Sequence, residues 1–135
     1  FGQVWAQVAA AYYDIKNVHA FSGGTEATAF HTNAIHALQK AGFKISAGEN
    51  ELNPVYTITF GNDEQPVCSF SKVYDHPVNP AHDFIAIMTC SEAEENCPFV
   101  PGAKLKIATT YDDPKAFDNT ELQESKYDER CRQIA

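Results

Sequence analysis

Phe84 to Pro114 reads FIAIMTCSEAEENCPFVPGAKLKIATTYDDP, and the expected fold turns on it. It opens on Phe84-Ile85-Ala86-Ile87-Met88, a short run that is apolar at every position. Such a run predicts a strand covered on both faces, as in a parallel sheet. Thr89-Cys90 ends it, and Ser91-Glu92-Ala93-Glu94 matches a capping box, with serine at the N-cap and glutamate three residues on. Cys90 is therefore expected where a buried strand meets a short helix, with Cys97 seven residues later and Pro98 behind it. Ala103 to Thr109 predicts a second strand, which leads to Tyr111-Asp112-Asp113-Pro114. Two strand ends thus deliver two thiols and two carboxylates. Ligand sites in open α/β sheets lie at the carboxyl ends of strands.

The remainder of the chain bounds the reading. At 135 residues it is expected to form a single domain, residues 1–135, and 44% hydrophobic content can supply a core. A formal charge of −8 argues against nucleic acid as a partner. No apolar run approaches the length of a membrane span, and no secretory leader is legible. At this size and with this pattern, the four cysteines are expected to be reduced thiols in a cytoplasmic protein rather than a disulfide framework. The five histidines, at 19, 31, 36, 76 and 82, form no metal-ligand spacing, so neither metal nor cofactor is expected.

In chain order, Val4, Val8 and Tyr12 recur at helical spacing within Gln3–Tyr13, and Asn17 marks the turn that follows. Val18-His19-Ala20-Phe21-Ser22 predicts a short strand, stopped by Gly23-Gly24. Thr32 can cap a second helix, with Ile35 and Leu38 inward, Gly42 as its stop and Phe43 folded back onto it. Val55–Gly61 and Val67–Lys72 predict a hairpin around Asn62-Asp63-Glu64-Gln65-Pro66. Val73–Asp83, holding Pro77 and Pro80, is a loop, and Glu121–Ile134 is a charged helix. Alternating strands and helices give an α/β fold of three layers, a small parallel sheet flanked by helices with right-handed crossovers.

Several of these segments together resemble the low-molecular-weight protein tyrosine phosphatases and their relatives, the thioredoxin-coupled arsenate reductases. Phe21-Ser22-Gly23-Gly24-Thr25-Glu26 is similar to the family's second strand and its Ser-Ala-Gly-x-Glu continuation. Asn33–Leu38 resembles the next helix, Phe84–Cys90 the strand before the family's second cysteine, and Asp112-Asp113-Pro114 the loop with the general acid. Trp5 resembles the tryptophan shortly after the phosphate loop of the reductases. The resemblance implies a phosphatase-like fold in which Val55–Lys72 is an inserted β-hairpin. The family's first strand and its Cys-x5-Arg-Ser/Thr phosphate loop have no counterpart in these residues. Both ends are accordingly expected to be cut, with the nucleophilic cysteine upstream of Phe1.

What the resemblance implies for chemistry falls on three residues. Asp113 would protonate the leaving oxygen of a phosphorylated substrate, and Asp112 would raise its pKa; read without the family, Asp113-Pro114 is an ordinary turn. Cys90 and Cys97 would be the redox relay of an arsenate reductase, with thioredoxin as reductant and arsenate as substrate. Their alternative is two buried structural thiols, and Cys90-Ser91-Glu92 stands where reductases commonly show Cys-Gly-Asp. A helix N-terminus would favour the Cys90 thiolate, and Glu92, Glu94 and Glu95 would disfavour that of Cys97. Residues seven apart lie roughly 10 Å apart along a helix, beyond the reach of about 7 Å between disulfide Cα atoms, so pairing requires the short helix to unwind. Cys68 and Cys131 are expected to be structural or superficial. The competing reading from another class is a catalytically dead relative that binds a partner or a small anion.

Overall fold

Hydrophobic spacing in the first two helices supplies one shared core. The computed structural model describes residues 1–89 and 99–135. Its elements are α1 (Gly2–Tyr12), α2 (Thr32–Lys40), β1 (Lys44–Ala47), β2 (Tyr56–Thr59), β3 (Val67–Ser69), β4 (Phe84–Met88), β5 (Ala103–Ala108) and α3 (Gln123–Ile134), with a 3-10 turn at Pro114–Phe117. The Cys90 and Cys97 assignments, and the capping box between them, lie outside the described residues.

Val4, Leu38 and Ile58 are essentially inaccessible and centre the core. Phe43, Val67, Tyr127 and Cys131 complete it, so α1, α2 and α3 share one apolar interior with the β1–β2–β3 sheet. Trp5 packs edge-on against Phe43, 5.2 Å between ring centroids. The end of α2 follows its sequence: Gly42 takes φ +103°, and Phe43 N–H donates to Leu38 O at 3.2 Å. That is the left-handed cap expected of a glycine, and it turns Phe43 back into the core. The start of α2 differs from expectation. His31, not Thr32, is the N-cap, and its Nδ1 accepts the Asn33 N–H.

The chain is α/β, but its strands form two sheets. The predicted hairpin is present as β2 and β3, paired antiparallel with Tyr56 opposite Ser69 and Ile58 opposite Val67. β1, which has no sequence prediction, adds to its other side with Ile45 opposite Ile58. β4 and β5 form a separate parallel pair, with Ile85 opposite Leu105 and Ile87 opposite Ile107.

Two expectations are corrected. Val18–Ser22 is extended but not a strand. Its backbone is held by side chains of α1: Gln7 Nε2 donates to Val18 O at 2.9 Å, Gln7 Oε1 accepts Ala20 N–H at 3.0 Å, and Gln3 Nε2 donates to Ala20 O at 3.1 Å. No β-ladder therefore forms there. β4 is not covered on both faces either: Ile85 is 58% and Ile87 51% exposed. Only β5 pairs with it among the described residues, and no helix packs closely on that aliphatic face.

Candidate functional site

The parallel pair continues beyond its last ladder residues. Thr109 N–H donates to Met88 O and Tyr111 N–H to Thr89 O, both at 2.9 Å. This pairing carries the chain after β5 along the carboxyl end of β4, so Asp112 and Asp113 begin where Thr89 ends. Asp113 then caps the 3-10 turn: its Oδ1 accepts Lys115 N–H at 2.9 Å, and Pro114 fills the first turn position, where no N–H is needed. Asp112 projects fully into solvent, 3.9 Å from the guanidinium of Arg130 on α3. Arg130 is itself buried and also bonds Gln133, while its Nε has no partner among the described residues.

α1 points its amino end at the same place. A Cβ built on Gly2 would lie 3.8 Å from Thr89 Cγ2, so the helix starts against the residue that follows β4. Among the described residues no side chain caps this end, and its first turn holds no acidic residue. The helix dipole makes a helix amino end attractive to anions.

Gln3, one residue further into α1, is a hydrogen-bond hub. Its Nε2 donates to Ala20 O and Cys68 O, each at 3.1 Å. Its Oε1 accepts from Ser22 Oγ at 2.8 Å and from Ser69 Oγ at 3.1 Å. Both amide hydrogens and both lone pairs are used, which fixes the amide orientation. Ser22 has therefore spent its hydroxyl proton on Gln3, and its oxygen faces Lys72 Nζ at 3.4 Å as an acceptor.

Lys72 is 4% exposed. Beyond Ser22, its ammonium has the ring of Phe70, 4.5 Å away. No carboxylate pairs with it among the described residues. Burial lowers its pKa from the ordinary lysine value.

A second polar network braces the 3-10 turn. His31 accepts the Asn33 N–H at Nδ1, so the neutral ring carries its proton on Nε2 and donates to Asp118 Oδ2 at 3.1 Å. Tyr127 OH donates to Asp118 Oδ1 at 3.0 Å, and the His31 and Tyr127 rings stack at 4.8 Å. Burial, then the Asp118 hydrogen bond and the charges of Asp118 and Asp113, push the Tyr127 phenol well above its ordinary range. Asp118 thereby ties α2 and α3 to the turn that Asp113 starts.

Of the residues singled out from sequence, Asp113 stands at the carboxyl end of the parallel pair, and Cys90 and Cys97 lie outside the described residues. Cys131 is a core thiol whose pKa is raised by burial, with the Trp5 indole acting in the opposite direction. Cys68 is exposed. Sequence reasoning missed Gln3 and Lys72. The signals were two glutamines, Gln3 and Gln7, on an otherwise apolar helix and a lysine closing a predicted strand. No protein-family model matches the chain, and no curated protein does.

Proposed function

We propose that the chain is the body of a phosphatase-like oxyanion enzyme of the low-molecular-weight protein tyrosine phosphatase type, acting on phosphate monoesters. The reading is supported by one juxtaposition. Ser22 and Thr89, the last residues of two extended segments, flank the first turn of α1, and the pairing of Tyr111 with Thr89 brings Asp113 to that end. In this reading an anion held at the helix start would take its proton from Asp113. The nucleophile in this scheme is a cysteine outside residues 1–135. Its thiolate attacks phosphorus, the ester oxygen leaves with the Asp113 proton, and water then releases phosphate. Since Oδ1 of Asp113 accepts Lys115 N–H, Oδ2 is the oxygen that would carry the proton.

Hydrolysis of p-nitrophenyl phosphate by the intact parent protein tests this. Asp113→Asn should lower turnover roughly 10²–10⁴-fold, and unchanged turnover removes Asp113 from the mechanism.

Arsenate reduction is the second reading, for which the Cys90 and Cys97 pair of the sequence is the feature. Turnover of arsenate with thioredoxin would leave a Cys90–Cys97 disulfide, and mass spectrometry of the quenched protein decides it. Two free thiols after turnover leave hydrolysis as the sole activity.

A further inference from the structure

The loop from Val73 to Asp83 has no regular structure, yet hydrogen bonds hold it along its length. Tyr74 N–H donates to Gly24 O at 3.0 Å, His76 N–H to Val73 O at 3.1 Å and Asn79 N–H to His76 O at 2.8 Å. Asn79 Nδ2 donates to Ser22 O and to Tyr74 O, both at 3.0 Å, and His76 Nδ1 accepts the Val78 N–H at 3.2 Å. A Cβ on Gly23 would stand 2.4 Å from Tyr74 Cα, so the two backbones cross where a glycine is required. A loop pinned in this way is ready for a ligand before one arrives. It borders a cavity of about 300 Å³, closed off by Phe84 at the entry of β4 and Pro101 just before β5. This is the amino end of the parallel pair, the end away from Asp113.

The cavity walls share one chemical character. Tyr74, His76 and Phe84 give them aromatic rings, and Pro80 an apolar edge. Asp75 brings a carboxylate, while no lysine or arginine lines the cavity among the described residues. Asp75 also has no ion-pair partner among those residues. Asn79 completes the lining. Two carbonyls claim its Nδ2, which fixes the amide orientation and leaves Oδ1 buried without a donor. A buried acceptor with no donor is a cost to the fold, and the cavity is the open space that this side chain borders. Ring faces attract cations, a free carboxylate attracts them more strongly, and an orphan oxygen needs an N–H. A guanidinium meets all three demands, because it is planar, permanently charged and donates in several directions. The formal charge of −8 favours the approach of such a cation. We propose that this cavity is a binding site for a small guanidinium-type cation, with Asp75 as its counter-charge, the Tyr74 and Phe84 rings as its stacking walls and Asn79 as its neutral acceptor. The site stands apart from the oxyanion reading and does not depend on it.

Butylguanidinium is the probe, and butylurea, which has the same shape without the charge, is its control. Each is titrated into the isotopically labelled intact parent protein, with amide shifts followed by NMR. Butylguanidinium should shift Tyr74, Asp75 and His76 saturably, and butylurea should bind roughly tenfold more weakly. Asp75→Asn should weaken butylguanidinium roughly tenfold as well, and Tyr74→Leu several-fold through the lost ring face. Both side chains are exposed, and a circular dichroism melt checks that the variants are folded. Nα-acetylarginine amide presents the same group on a peptide backbone and separates the sources of the ligand. Tighter binding than butylguanidinium supports the site as a receptor for an arginine of a protein partner, and equal or weaker binding supports it as a receptor for a free cation. No saturable shift with either cation, equal binding of butylurea, or a folded Asp75→Asn that binds as tightly as wild type overturns the assignment.

Discussion

Gln7 grips Val18 and Ala20 as a second strand would. Its Oε1 takes the Ala20 N–H at 3.0 Å while its Nε2 donates to Val18 O at 2.9 Å. With Gln3 one helical turn away on the same face of α1, side chains satisfy three backbone groups of a segment whose residues prefer a sheet. Gln7→Ala should release this segment at a cost of about 1–2 kcal/mol. Amide exchange at Ala20 is the direct readout and should quicken roughly tenfold. An unchanged rate would mean that packing, not the glutamine, holds the segment.

Lys72 makes stability depend on pH in a definite direction. Its folded pKa lies below the unfolded value near 10.5, so the unfolded chain binds the proton more tightly. Stability therefore rises as pH climbs from the folded pKa toward the unfolded one. Urea unfolding across the alkaline range should show this rise in wild type and lose it in Lys72→Met. The variant should also be at least as stable near neutrality, since it no longer buries a charge.

Tyr127 acts in the opposite sense at higher pH. Its phenol stays protonated in the folded state after the unfolded chain has begun to ionise near 10, so stability falls as pH rises past that value. Absorbance titration should find one tyrosine that resists ionisation until the protein unfolds. Tyr127→Phe should abolish that signature and cost about 1–2 kcal/mol through the lost Asp118 bond.

Gly102 sits where no other residue fits. Its φ is +82°, and a Cβ there would stand 1.9 Å from Ala81 O. Asp83 N–H also donates to Gly102 O at 3.0 Å, so the two strand entries are locked together. Gly102→Ala should cost about 2 kcal/mol or more, read as a drop in Tm, with the loss concentrated in β4 and β5 by hydrogen exchange.

Local signals were legible where they are set by nearby residues. Helical spacing located α1 and α2, the Gly42–Phe43 pair fixed how α2 ends, and turn formers between two apolar runs marked the β2–β3 hairpin. Asp113 could be placed because a strand followed by Asp-Pro leaves few options for where the carboxylate goes. What could not be read depends on distant partners. Lys44–Ala47 is short and half polar, and pairs as β1 only because Ile45 meets Ile58 across a loop. Val18–Ser22 has strand composition, yet glutamines that look like surface residues of α1 take its hydrogen bonds. Lys72 is unremarkable in sequence, because a lysine's burial is decided by what the fold closes over it.

Ile85, Ile87, Leu105 and Ile107 lie together on one open face of the parallel pair, each at least 40% exposed. β4 itself is five uncharged residues in a row. Short uncharged strands with a bare aliphatic face are the segments from which ordered aggregates grow. Colloidal behaviour should thus be set by a contest between this row and the self-repulsion of a chain with formal charge −8. Salt screens the repulsion but leaves the aliphatic row untouched. Solubility should therefore be lowest at high ionic strength and at a pH near 4.9, the isoelectric point of the sequence, and a charge placed at Ile85 should raise it there.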